Sequence, residues 1–211
     1  QASDVWQGLA ELGLQGTAIP EAFGGVGAGY LPLCLVAQEL GGVLAAVPFS
    51  SSVYLATEAI SCFGSADQKE RYLPKLASGE WVGTLAVSEG PLAPSPNNLT
   101  VARSGDTISG KKLVVPHGLA ANFAVVLVKS GAGTDLVLAG LDGIERAAVE
   151  IVDPSIAAAT IDFAETPCES LGEPGDGWTM LDTLQHRAAV LYAFEQIGGA
   201  EQALNMAVAY A

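Results

Sequence analysis

Residues 64–89 read Gly64-Ser-Ala-Asp-Gln68-Lys69-Glu-Arg-Tyr72-Leu73-Pro74-Lys-Leu76-Ala-Ser-Gly79-Glu80-Trp-Val-Gly-Thr84-Leu-Ala-Val-Ser88-Glu89. The spacing of apolar residues changes midway. Gln68 to Leu76 sets Tyr72, Leu73 and Leu76 on one face of a short helix, which Pro74 strains and Gly79 terminates. Thr84 to Ser88 is a compact apolar run after a breaker and contains Val and Thr, the pattern of a strand that begins a new sheet. A helical layer ends here and a β layer starts.

Upstream, Val5, Leu9 and Leu12 recur at helical spacing over 4–14, with Ser3 or Asp4 as N-cap and Gly13 to close the helix. Residues 18–29 form a loop in which Pro20 fixes the backbone and Gly24, Gly25, Gly27 and Gly29 permit conformations closed to other residues. The loop lacks the G-x-G-x-x-G order of a phosphate cradle and reads as a tight connection. Residues 30–44 read as a second helix, with Leu33, Val36, Ala37 and Leu40 on one side. Residues 49–63 read as a third, opened by Ser50-Ser51-Ser52 as capping residues, because no G-x-S-x-G elbow surrounds them.

Downstream the pattern is β. Residues 99–103 and 107–109 flank a Ser104-Gly105-Asp106 turn, and strands are expected at 113–115, 123–129, 136–139, 148–152 and 160–163. Regular short strands with turn signals suggest a small barrel or sandwich. Residues 171–178 are a breaker-rich linker. From Trp178 to Ala211 helical spacing returns, with Leu181, Leu184, Ala188, Leu191, Glu195, Gly198 and Gln202 in one stripe. The fold class is α+β: an N-terminal helical domain over 1–82, a middle antiparallel β-barrel or sandwich domain over 83–175, and the first helix of a C-terminal helical domain over 176–211.

Nine Lys and Arg face 23 Asp and Glu in 211 residues, a net charge of -14. Such a surface repels phosphate backbones, so nucleic acid is excluded as a partner. A phosphate-bearing ligand needs local cations, of which Lys111, Lys112, His186 and Arg187 are the candidates. Cys34, Cys62 and Cys168 are widely spaced, odd in number and suit buried free thiols in a reducing cytoplasm. No run of 18 or more apolar residues provides a membrane span, and no Cys/His spacing suggests a metal. The chain starts without Met and stops inside a helical pattern, as an excised piece of a longer chain does.

The spacing G-x-x-x-Q-K-x-x-Y-L-P-x-L-x-x-G-E followed by a strand ending in Ser/Thr-Glu resembles the acyl-CoA dehydrogenase family. The order Leu12-Gly13-Leu14, Ile19-Pro20-Glu21-Ala-Phe23-Gly24-Gly25-Val-Gly27, Gln38-Glu39-Leu40-Gly41 is similar to that family's N-terminal domain. The block Val115-Pro116-His117-Gly118 resembles a bacterial branch acting on steroid side chains or other bulky acyl-CoAs. The resemblance implies FAD as cofactor, an acyl-CoA substrate, an electron-transfer flavoprotein-like acceptor and a homo- or hetero-oligomer. Matched by position, it implies flavin contacts from Leu85, Val87 and Ser88 and from Val114, Val115 and Pro116. The family's Trp and Thr are here Val114 and Pro116, and its Gly-Ser-Asp is replaced by 90–96, where Ser95 is the remaining candidate for substrate. Arg187 is the candidate for CoA phosphate. The family's usual base falls beyond Ala211 and its second position falls at Ala188, leaving Glu195, two turns further on the same face, as the candidate within the chain. The alternative to a dehydrogenase is a non-catalytic partner subunit; a flavin-dependent monooxygenase or oxidase on the same fold is a third reading.

Overall fold

The structure, a computed structural model, describes residues 2–153 and 155–211. Helices come first: α1 (Ala2–Glu11), α2 (Tyr30–Gly42), a stretch of π-type winding over Ser50–Thr57 that runs on as α3 (Glu58–Phe63), and α4 (Ala66–Ala77). Strands follow: β1 (Gly83–Ala86), β2 (Ala102–Ser104), β3 (Thr107–Pro116), β4 (Phe123–Ser130), β5 (Gly133–Gly140), β6 (Glu145–Val149) and β7 (Ala158–Leu171). The long helix α5 (Gly177–Tyr210) closes the order.

The boundary read from residues 64–89 is built by local chemistry. Ser65 Oγ accepts from the Gln68 N–H at 3.1 Å while Gln68 Oε1 accepts from the Ser65 N–H at 3.0 Å, a reciprocal cap that starts α4. Pro74 sits within that helix at an exposed position, and Gly79, at φ +70°, turns the chain out of it. Tyr72, Leu73 and Leu76 are buried as the spacing requires.

The sheet closes on itself. β4 pairs antiparallel with β5, β5 with β7, β7 with β3 and β3 with β2, and β2 meets β4 again in parallel at Ala102 and Lys129. β1 runs parallel to β4 over Gly83–Ala86, and β6 extends the edge of β7. β4 is buried on both faces. Phe123, Val125 and Leu127 pack with Leu73, Leu76, Leu181 and Leu184 of the helices, and Ala124, Val126 and Val128 pack with Val101, Ile108, Val137 and Phe163 of the strands. No helix among the described residues is long and apolar enough to cross a membrane.

Some local expectations change. The Ser104-Gly105-Asp106 turn forms, with Ser104 opposite Thr107 and Gly105 at φ +59°. β6 lies three residues earlier than expected, and β7 is far longer than 160–163 because β3, β5 and β6 all pair along it. The serine triplet caps nothing: the stretch is already helical at Phe49, and Ser51 and Ser52 are buried against the barrel. Of the three cysteines, Cys34 and Cys168 are buried thiols, whereas Cys62 is exposed, on the outer side of α3.

The stripe on α5 packs against α2 through backbone. A Cβ at Gly198 would lie 1.8 Å from the Gln38 carbonyl oxygen, and one at Gly41 would lie 1.9 Å from that of Glu195. A glycine at each of these two positions permits this approach. Gly198→Ala or Gly41→Ala is therefore expected to destabilise the protein by about 1–3 kcal/mol in thermal or urea unfolding. Gly199→Ala, whose Cβ would sit 3.6 Å from its nearest neighbour, is expected to cost nothing. Equal effects at Gly198 and Gly199 would contradict this account of the crossing.

Candidate functional site

The ends of β1 and β3 lie side by side. Thr84 Oγ1 donates to the Pro116 carbonyl at 2.6 Å, and the Leu113 N–H donates to the Ser88 carbonyl at 2.8 Å. Lys112 reaches across the same gap, its Nζ donating to the Val87 carbonyl at 3.0 Å and to Glu89 Oε1 at 2.7 Å. The Lys112 side chain is fully buried and that of Glu89 is 8% exposed. Glu89 also accepts from the Thr100 N–H and hydroxyl and from the Val101 N–H at 3.2 Å. Burial pushes the Glu89 carboxyl up, but the hydrogen bonds from Lys112 and Thr100 outweigh it and hold the group below its ordinary range. Burial pulls Lys112 down, opposed by Glu89.

Between this pair and His117 the chain is strained. Val114 and His117 adopt left-handed φ values of +52° and +53°, and the pairing with β7 shifts register between Lys112 and Val115. A β-branched residue in that region is a true outlier, at a cost of about 1–3 kcal/mol. The far side is anchored by the π-wound stretch. Ser51 Oγ lies 3.0 Å from His117 Nδ1, and Ser52 Oγ accepts from the Gly83 N–H at 3.2 Å. Burial pushes the His117 imidazole down, keeping it neutral. Two adjacent serines of this stretch thus bond to β1 and to the end of β3.

Among the six positions matched for a flavin, Leu85 and Val115 turn into the core, 8% and 1% exposed, and leave only backbone for a ligand. Val87, Ser88 and Pro116 are half-buried, and Val114 is 47% exposed. Together these four present an apolar strip carrying one hydroxyl. An open cleft of about 230 Å³ adjoins it, lined by Val87, Glu89, Leu92, Pro94 and Thr100. Ser95 does not line that cleft; its N–H and carbonyl are tied to Asn98 in a local turn.

Each of the four residues considered for a phosphate lies beside a carboxylate. Lys111 meets Asp162 at 2.9 Å, Lys112 meets Glu89, His186 lies 3.4 Å from Asp182, and Arg187 forms a close pair with Glu58 while stacking on Tyr30 at 5.1 Å. Ala188 is 1% exposed and packs in the core. Glu195 is half-buried beside Tyr54, its carboxyl pushed up by burial. It lines a second cavity together with Tyr54, Tyr192, His117 and Pro116. Sequence reasoning missed Ser51, Ser52, Tyr54 and Tyr192 as site-building residues; their one signal was a serine triplet followed by an aromatic residue inside a helical pattern.

Comparison with known proteins bears on the family and the fold. A family model described as "Acyl-CoA dehydrogenase, N-terminal domain" matches residues 1–80. An "Acyl-CoA dehydrogenase" of Bacillus subtilis (strain 168) is 29% identical over 226 residues, covering 96% of this chain and 58% of that protein. A solved structure of a Tcur3481-Tcur3483 steroid ACAD variant superposes with a TM-score of 0.84 at 31% identity, covering 98% of this chain and 56% of that one. The ChsE4-ChsE5 complex from Mycobacterium tuberculosis superposes with a TM-score of 0.85 at 25% identity, covering 99% of this chain and 57% of the matched chain. The chain spans a little over half the length of the relatives it matches.

Removing one member of the Lys112–Glu89 pair strands a buried charge. Lys112→Met is expected to destabilise the protein by about 3–5 kcal/mol, with part of the loss recovered in Lys112→Met/Glu89→Leu. Because the folded-state pKa of Glu89 is lowered, its contribution is complete above the ordinary value of 4.5 and is lost as pH falls below it. Urea unfolding from pH 7 to pH 3 should show a smaller acid loss in the double variant. An unchanged slope would contradict this role.

Proposed function

The chain belongs to the acyl-CoA dehydrogenase family, and from that premise we propose that it forms part of a FAD-dependent enzyme that introduces an α,β double bond into an acyl-CoA thioester. The observation that supports this reading is the strip of Val87, Ser88, Val114 and Pro116, held by a buried ion pair on one side and by Ser51 and Ser52 on the other. A flat, largely apolar ring system with polar edges suits such a strip: Val114 and Pro116 offer a face, and the Ser88 hydroxyl offers a hydrogen bond. FAD, when bound, supplies the acceptor for the hydride that leaves the β carbon.

The residues of this chain act on position and water. Strain at Val114 and His117 fixes the strip without loop motion, and the half-buried setting keeps part of it dry. The α proton requires a carboxylate base. Glu195 is the carboxyl of α5 facing the cavity that Pro116 also lines, and it is the base we assign within this chain. A protein electron acceptor and an oligomer of like or unlike subunits complete the reading.

A second reading is a partner subunit that shapes the site without performing the chemistry. Ala188 in place of a carboxylate, Val114 and Pro116 in place of Trp and Thr, and Lys111, Lys112 and Arg187 already paired with carboxylates favour it. The similarity to a chain of the ChsE4-ChsE5 complex is consistent with unlike subunits.

Anaerobic addition of acyl-CoAs of increasing bulk to the full-length protein, with any co-purifying subunit, separates the two. Bleaching of a bound flavin in the protein alone supports the enzyme, bleaching only with the partner supports the second reading, and a protein that holds no flavin in either state contradicts both. Val114→Gly relieves the left-handed strain and removes an exposed apolar side chain. It is expected to raise stability by about 1 kcal/mol while weakening flavin retention. Ser95→Ala is expected to leave both unchanged.

A further inference from the structure

A third cavity, of about 310 Å³, lies away from the strip, between the loop over 18–29, the start of α2, the junction of the π-wound stretch with α3, and Arg187 of α5. Ile19, Leu33 and Val53, all buried, give it an apolar lining. Its most buried polar residue is Gln15, 1% exposed. Gln15 Nε2 donates to the Trp6 carbonyl at 2.9 Å, which commits that end of the amide to a residue outside the cavity. Oε1, at the opposite end, is buried without a partner among the described residues and is left to the cavity that Gln15 lines. A buried acceptor of this kind is costly unless a donor reaches it. The neighbouring groups also present acceptors. The Tyr30 hydroxyl donates to the Arg187 carbonyl at 2.9 Å, so its oxygen is left to accept. The Glu58 carboxyl, its side chain 10% exposed, takes the Cys62 thiol at 3.3 Å and a close bond from Arg187 Nε, both on Oε1.

We propose that this cavity binds a primary ammonium group carried on a short hydrocarbon chain, with Gln15 Oε1 and the Glu58 carboxylate accepting from the ammonium and Ile19, Leu33 and Val53 against the chain. An ammonium offers three donors and no acceptor, which matches a site whose committed polar groups are left accepting. An anion finds no spare cation, because Arg187 is already bonded to Glu58 and stacked on Tyr30. The local field agrees: burial first, and then the Glu58 charge, push the Cys62 thiol up to about 11 and the Tyr30 phenol up to about 12, with Arg187 opposing both more weakly. The net charge of -14 draws cations to the surface as a whole. The volume is at the lower end of the roughly 300–1,000 Å³ of small-molecule sites, which suits a chain of a few carbons. None of these residues belongs to the strip assigned to the flavin, so the site is independent of the dehydrogenase reading.

The test titrates the full-length protein at neutral pH with butylammonium, butanol and butanoate, and reads binding by saturation-transfer NMR and calorimetry. Butylammonium is expected to bind about tenfold tighter than butanol, through charge-assisted hydrogen bonds, and butanoate is expected not to bind. Gln15→Leu removes the orphaned acceptor, and Glu58→Gln removes the charge while keeping the shape. Each should cut the preference for butylammonium over butanol about threefold or more. Gln15→Leu also loses the bond to Trp6, so its thermal midpoint is measured beside the wild type; where it fails to fold, Glu58→Gln decides, since Arg187 is 47% exposed and water can take the place of its partner. Three outcomes would overturn the proposal: no binding of any of the three, which leaves a cavity holding water only; butanoate binding as well as butylammonium; or a preference that survives both substitutions.

Discussion

A lysine with no exposed side-chain surface, bonded to a carboxylate and a main-chain carbonyl, is the constraint on which this site depends. Lys112 lies on β3 and Glu89 in the segment that follows β1, and beside them the Leu113 N–H donates to the Ser88 carbonyl. A buried ion pair adds little net stability, because desolvation offsets most of the attraction. What it adds is position: the charge tolerates no other place for the ends of β1 and β3. Glu89 extends that control to a third segment by accepting from Thr100 and Val101, which closes the loop over the neighbouring cleft.

The other side of the strip is held by helical backbone. Within the π-wound stretch over Ser50–Thr57, the neighbouring serines Ser51 and Ser52 reach His117 and Gly83. The strained residues Val114 and His117 lie between these two anchors, which explains how about 1–3 kcal/mol per residue of unfavourable backbone persists. The close approach of Gly41 to the Glu195 backbone and of Gly198 to the Gln38 backbone then fixes α5 against α2, and Tyr192 and Glu195 line one cavity with Tyr54.

The change from helical to strand spacing at residues 76–84 was legible because each side of it follows a simple period, and Tyr72, Leu73 and Leu76 are buried accordingly. The α5 stripe was legible for the same reason, including the close approach at Gly198. The extent of β7 was not, since its polar stretch through Glu165 and Thr166 is carried by pairing with other strands and not by its own alternation. Nor were the roles of the serines, which depend on a winding that no propensity encodes. The inward turn of Val115 depends on the register shift and left-handed Val114 before it, which no spacing announces. For the cations, sequence shows charge, while the partners Asp162 of Lys111 and Glu58 of Arg187 are fixed by the fold.

The central claim is that the ends of β1 and β3 form one preorganised platform for a flavin. Amide hydrogen exchange of the full-length protein, measured with and without added FAD, tests it most directly. The account predicts slow exchange at Leu113 before FAD is added, and further protection confined to segments 84–88 and 112–117 of this half of the chain once it binds. Rapid exchange at Leu113 in the absence of FAD, or protection elsewhere that leaves both segments unchanged, would contradict it.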